Sequence, residues 1–148
     1  MTACIRQDCI STEAALAAVH AAVKAGADMG CKVNAAVVDP GGHLVAFLRE
    51  NGAFLHSVGI AQDKAYTAVS FGMASGRLYD LIKDNPALRD GMAQRDRLVA
   101  FAGGFPILLD GTPIGGIGVS GASEEQDCLC AQAGLQAINA FVKQGEEA

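Results

Sequence analysis

Residues Phe101–Asp127 read FAGGFPILLDGTPIGGIGVSGASEEQD, and the architecture of the chain turns on them. Phe105–Leu109 is apolar and β-rich. Asp110-Gly111 follows as a turn signal, because both residues tolerate the positive φ that a two-residue hairpin requires. Pro113–Val119 runs back as the partner strand. Gly115, Gly116 and Gly118 in it cost strand stability, so together they point to close approach of another backbone or of a ligand. Ser123 with Gln126 three residues on forms a capping box, so a helix starts there. A glycine-rich strand end feeding a helix N-terminus presents unpaired N–H groups and partial positive charge, which suit an anion.

The same stretch spells GxGxxG from Gly116 to Gly121. A dinucleotide site needs that motif to open a βαβ unit, with an acidic residue about 20 positions later. Only one helix remains before the sequence given ends, and no parallel strand follows, so the dinucleotide reading fails on context.

Upstream, Ser11 caps a helix over Thr12–Ala27, with Leu16, Val19, Val23 and Ala27 at helical spacing and His20 at the edge of that stripe. Lys32–Asp39 is a strand whose AAVV run fits burial on both faces. Pro40-Gly41-Gly42 turns the chain into a return strand, His43–Arg49. Helices follow over Leu55–Phe71, Gly76–Lys83 and Ala87–Gln94, the last two separated by Asn85-Pro86. Leu98–Ala102 reads as a further strand, and a helix covers Glu124–Lys143. About five strands, joined mostly by hairpins, must bury apolar faces under helices from both ends of the chain. The expectation is an α+β domain with an antiparallel sheet and helical cover.

With 148 residues, the chain reads as one domain over 1–148 that needs no disulfide staples. Its net charge of −5, without a basic run, argues against a nucleic-acid surface. No apolar run approaches the ~20 residues of a membrane span, and Met1–Ser11 does not read as a signal peptide, so a cytoplasmic location is expected. The five cysteines, without CxxC spacing, read as reduced thiols and small hydrophobes, and no metal site is expected.

Lys64 is the leading candidate for chemistry. Ser57, Ala61, Ala68 and Phe71 share its helix face, which leaves room around an ammonium. A desolvated lysine acts as a base or Schiff-base amine, and a less buried one holds an anion; the alternative is a lysine that snorkels or pairs with a carboxylate. Arg49, at a strand end, suits a carboxylate from a ligand or from Asp39. Asp39 is also explained by its turn, and Asp127 by the dipole of the last helix. Among the scattered histidines, His20 leads as an axial haem ligand because an apolar stripe runs beside it.

Several motifs together carry a resemblance. They are Val38-Asp39-x-Gly41-Gly42-x-Leu44-x-Ala46-x-x-Arg49, Ala61-x-x-Lys64-Ala65-x-Thr67-Ala68, Gly103-Gly104-x-Pro106-Ile107, Ile114-Gly115-x-Ile117-Gly118-Val119-Ser120-Gly121 and Gln126-Asp127. The chain resembles the GlcG/HbpS family, which includes the C-terminal domain of PduO-type proteins. Asn51 stands where the family commonly has Asp. The resemblance implies a profilin-like fold, an antiparallel five-stranded sheet between helices, and a homo-oligomer that is often an octamer. It implies haem binding in some members, with a role in haem degradation or iron handling, and an axial histidine in the N-terminal region, for which His20 is the candidate. Other members are encoded among catabolic pathways for glycolate, diols or aromatic compounds.

Two functional readings and a structural one follow. One is a haem or tetrapyrrole binder. The second is an enzyme, or accessory enzyme, that moves a proton on a small carboxylate, with Lys64 as base and Arg49 as clamp. There Asp39, Gly103, Gly104, Pro106, Ser120, Gly121 and Asp127 contribute the ligand-binding surface. The third assigns the glycines and Arg49 to subunit packing. The anion-site idea requires Lys64 and Arg49 to meet at the amide-lined mouth of the late hairpin.

Overall fold

The computed structural model describes residues 1–146, the last three of these by backbone alone. Residues 147 and 148, the end of the domain expected over 1–148, lie outside the described residues. The element order is α1 (Thr12–Asp28), β1 (Asn34–Val38), β2 (Leu44–Arg49), α2 (Leu55–Phe71), α3 (Ser75–Ile82), α4 (Pro86–Ala93), β3 (Gly104–Leu109), β4 (Thr112–Ser120) and α5 (Glu124–Glu146).

Local signals form the elements. The Ser11 hydroxyl accepts from the Ala14 N–H at the start of α1, and the Asn85 side chain accepts from the Leu88 N–H ahead of α4, which opens on Pro86. At α5 the capping box closes both ways at 3.2 Å: the Gln126 N–H donates to Ser123 Oγ and the Ser123 N–H to Gln126 Oε1. Asp110 and Gly111 take φ of 49° and 78°, and Leu109 pairs with Thr112 across them, as a two-residue hairpin demands.

The four strands lie in the order β2-β1-β4-β3, every neighbour antiparallel. Helices cover both faces, so the α+β class holds, but the sheet has four strands rather than five. Leu98–Ala102, expected as a strand, is irregular because its backbone groups find side chains instead of a strand. The Val99 N–H donates to Thr67 Oγ1, the Ala102 N–H donates to Glu124 Oε1, and the Phe101 carbonyl accepts from Ser75 Oγ. Among the described residues, no helix is long and apolar enough to cross a membrane.

The pleat divides the sheet. Ala35, Val37, Ile107, Ile117 and Val119 join a buried core with Ala15, Ala18, Val19 and Ala22 of α1 and Cys130, Ala131 and Ile138 of α5. Gly104, Gly116 and Gly118 point to the other face, beneath α2. A Cβ at Gly116 would stand 2.5 Å from the Ala65 carbonyl oxygen. One at Gly118 would run into the Ala61 carbonyl, and one at Gly104 into that of Lys64. The glycines thus let the α2 backbone rest on the strands. β1, covered on both sides, is buried along its whole length.

A buried ion pair at the candidate functional site

Close approach of α2 carries Lys64 into the protein, where it is 1% exposed. Its Nζ donates to Asp127 Oδ2 at 2.8 Å and to the Val119 carbonyl at 2.8 Å. The Phe101 ring centroid lies 5.1 Å from Nζ, within cation–π range. Asp127 is held by the first turn of α5, and its Oδ1 accepts from the Ala122 N–H at 3.0 Å. Gly103, at φ 119°, covers the pair: a Cβ there would come 2.7 Å from Nζ. Burial pushes the Asp127 carboxyl above its ordinary value, outweighing the hydrogen bond and charge of Lys64.

This arrangement ties α2, β4 and α5 together through one ammonium. It also corrects the expected anion site. The glycine face is filled by the α2 backbone, and Lys64 already has a carboxylate and a carbonyl on it. Arg49 does not join it: its side chain is on the edge strand β2, exposed, and Nη2 donates to the Ala53 carbonyl at 2.7 Å. The proton-transfer mechanism with Lys64 as free base and Arg49 as clamp therefore has no assembled site in this protomer. The anticipated carboxylate partner of Lys64 is Asp127 itself.

The other expected residues are dispersed. Asp39 sits in the β1–β2 turn, its Oδ1 accepting from the Gly41 and His43 N–H groups at 2.9 Å. Burial raises its pKa, but those backbone bonds and the adjacent His43 ring hold it below the usual value. Pro106 of β3 pairs with Gly116 of β4. Ser120 is buried and pairs with Asn34. Gly121, at φ 137°, lies so close to the Lys32 carbonyl that a Cβ would stand 2.6 Å from it.

His20 is exposed on α1. The expected stripe beside it is split: Val19 and Val23 turn inward, whereas Leu16, one turn before His20, is 60% exposed. Leu16 and His20 thus share the outer surface of α1. Among the described residues, no group of three His, Cys, Asp or Glu side chains is placed to hold a metal ion.

Three residues in or beside the buried region are not singled out by the sequence. Phe101 and Ser75 lie on segments whose path depends on tertiary packing. Asn34 carried a signal, a polar residue inside the apolar run VNAAVV. Its Nδ2 donates to the Phe54 carbonyl at 3.3 Å, while its fully buried Oδ1 has no hydrogen-bond partner among the described residues.

With this geometry in hand, comparison with known proteins places the chain. A family described as haem degrading protein HbpS-like matches residues 10–136. The chain belongs to the HbpS-like family. A 15.0 kDa protein encoded between dhaT and dhaS in Citrobacter freundii is 36% identical over 104 residues, 70% of this chain and 73% of that protein. Corrinoid adenosyltransferase PduO of Salmonella typhimurium is 36% identical over 121 residues, 81% of this chain, which spans only 36% of that protein's length. Among solved structures, ORFY of Klebsiella pneumoniae superposes with a TM-score of 0.89 at 29% identity, covering 95% of this chain and 97% of that one. A haem complex of PduOC superposes with a TM-score of 0.82 at 33% identity, covering 88% of this chain and 96% of that one.

Proposed function

We propose that this protein binds haem or a related tetrapyrrole, as a homo-oligomer of the HbpS type in the cytoplasm. The observation that carries the reading is kinship: this HbpS-like chain shares its fold, at 33% identity, with a PduOC domain solved in complex with haem. The resemblance extends the proposal to an octamer and a profilin-like topology.

On this chain the fit to haem is tested by the outer face of α1. His20 is exposed on α1, so its imidazole is accessible to serve as an axial ligand. Leu16 lies one turn away and offers apolar surface to a flat ring. These two residues suit one face of a haem. The rest of the cover falls to a second copy of the chain, which is why the oligomer belongs to the proposal. Lys64 and Asp127 enter only as the strut that holds α2 and α5 in place.

Titration of the purified protein with haemin is expected to give a saturable Soret shift. His20→Ala, on an exposed helix position, should weaken binding by at least about tenfold, some 1.4 kcal/mol, without lowering stability. A wild-type protein that gives no saturable shift overturns the proposal; an unchanged affinity in His20→Ala removes the axial assignment.

A further inference from the structure

A separate cleft of about 310 Å³ opens between α2, α4 and the segment that follows α4. Tyr66, Phe71, Met92 and Leu98 give it an apolar part, and two arginines, Arg95 and Arg97, and one carboxylate, Asp96, stand on it. Arg97 adopts φ 62°, a left-handed conformation that costs an L residue energy. Asp110 is the only other non-glycine residue with positive φ among the described residues, and its two-residue turn accounts for it.

The surroundings enforce the conformation of Arg97. The buried Thr67 hydroxyl donates to the Arg97 carbonyl at 3.0 Å and accepts from the Val99 N–H at 3.0 Å, clamping the segment to α2. Arg97 Nε donates to Asp63 Oδ1 at 3.0 Å, and its guanidinium lies 3.9 Å from the Tyr66 ring centroid. One edge of the fork is therefore used for orientation. Its two Nη groups make no hydrogen bond among the described residues, and neither does the Arg95 guanidinium.

The geometry points to a binding site for an aromatic carboxylate of about one ring. A pre-oriented guanidinium with a free edge matches a carboxylate bidentately. Tyr66, Phe71, Met92 and Leu98 suit an apolar, flat body, and Asp63 and Asp96 offset the charge of the two arginines, which favours a single carboxylate over a doubly charged phosphate. The volume lies at the small end of the range of roughly 300–1,000 Å³ for ligand sites. The cleft lies on the α2 side of the sheet and His20 on the α1 side, so this site is independent of the haem proposal.

The test is calorimetric titration of the full chain with benzoate, with benzamide as the uncharged control. Benzoate should bind saturably and benzamide at least about tenfold more weakly. Arg97→Gly removes the guanidinium while glycine readily accepts φ 62°, so benzoate affinity should fall at least about tenfold with the melting temperature unchanged or raised. If Arg97→Gly disturbs folding, Arg95→Gln removes charge from the same cleft without touching the strained backbone and should still weaken benzoate. No saturable heat with benzoate, equal binding of benzamide, or affinity unchanged by these variants overturns the site. Haemin titration of Arg97→Gly should match wild type, so a failure of the haem reading leaves the benzoate result standing on its own.

Discussion

On one face the sheet offers Ala35, Val37, Ile117 and Val119 to α1 and α5, and branched side chains interlock with alanines and Cys130. On the other it offers Gly104, Gly116 and Gly118 to α2, and the helix backbone lies directly against the strands. The first contact is made of many small dispersion and burial gains, each adjustable. The second is made of main-chain atoms that have nowhere to move. The buried ion pair belongs to this second face, since only a helix so close lets Lys64 reach the Val119 carbonyl and Asp127 together. One sheet thus has a tolerant side and an intolerant one.

Substitutions can break that contrast. Gly118→Val would drive a side chain into the Ala61 carbonyl and the Ala65 N–H, neither of which can yield. We expect a loss of at least ~3 kcal/mol in urea denaturation, the upper end of overpacking costs. A loss below about 1 kcal/mol would mean that α2 is free to lift, and the contrast would fail.

Next comes the ion pair. Lys64→Met leaves the Asp127 carboxylate buried without its cation and should cost about 3–5 kcal/mol, and adding Asp127→Leu should restore much of that. Failure of the double variant to recover would show that Lys64 matters for more than its partner. The pair also has a pH signature. Because Asp127 is raised above 3.8, the folded protein keeps this proton to higher pH than the unfolded chain. Its contribution to stability is therefore full below pH 3.8 and declines as pH rises through the elevated value. The stability of wild type minus that of Asp127→Asn should fall across that window; a difference that rises with pH would reverse the assignment.

The mildest change probes the tolerant face. Ile117→Val removes one methylene from the α1/α5 core and should cost about 0.5–1.5 kcal/mol by the same urea measurement. A cost equal to that of Gly118→Val would erase the distinction between the faces.

Much of the architecture could be read from local chemistry. Leu55–Phe71 was bounded correctly as a helix from its pattern, the Asp110-Gly111 hairpin from its turn residues, and the start of α5 from Ser123 and Gln126. Leu98–Ala102 misled because apolar β-formers look alike whether or not a strand lies beside them. Here Thr67, Ser75 and Glu124 took the hydrogen bonds that a neighbour would have made. The candidate site was legible in part. Lys64 and Asp127 were both singled out, yet nothing local showed that they belong to each other, 63 residues apart.

The glycines mark the same boundary. Their number in β4 points to something coming close, because close approach is one of the few things that a missing Cβ in a strand marks. Whether the visitor is a ligand or a helix depends on where α2 lands, which is a matter of packing between distant parts of the chain. Residue type determined turns, caps and the pairing within the two hairpins, which are local, whereas the β1–β4 pairing joins distant parts of the chain. Tertiary structure alone decided that α2 fills the glycine face, that Lys64 is neutralised by Asp127, and that Arg49 stays outside, because each outcome needs long-range burial to bring its groups together.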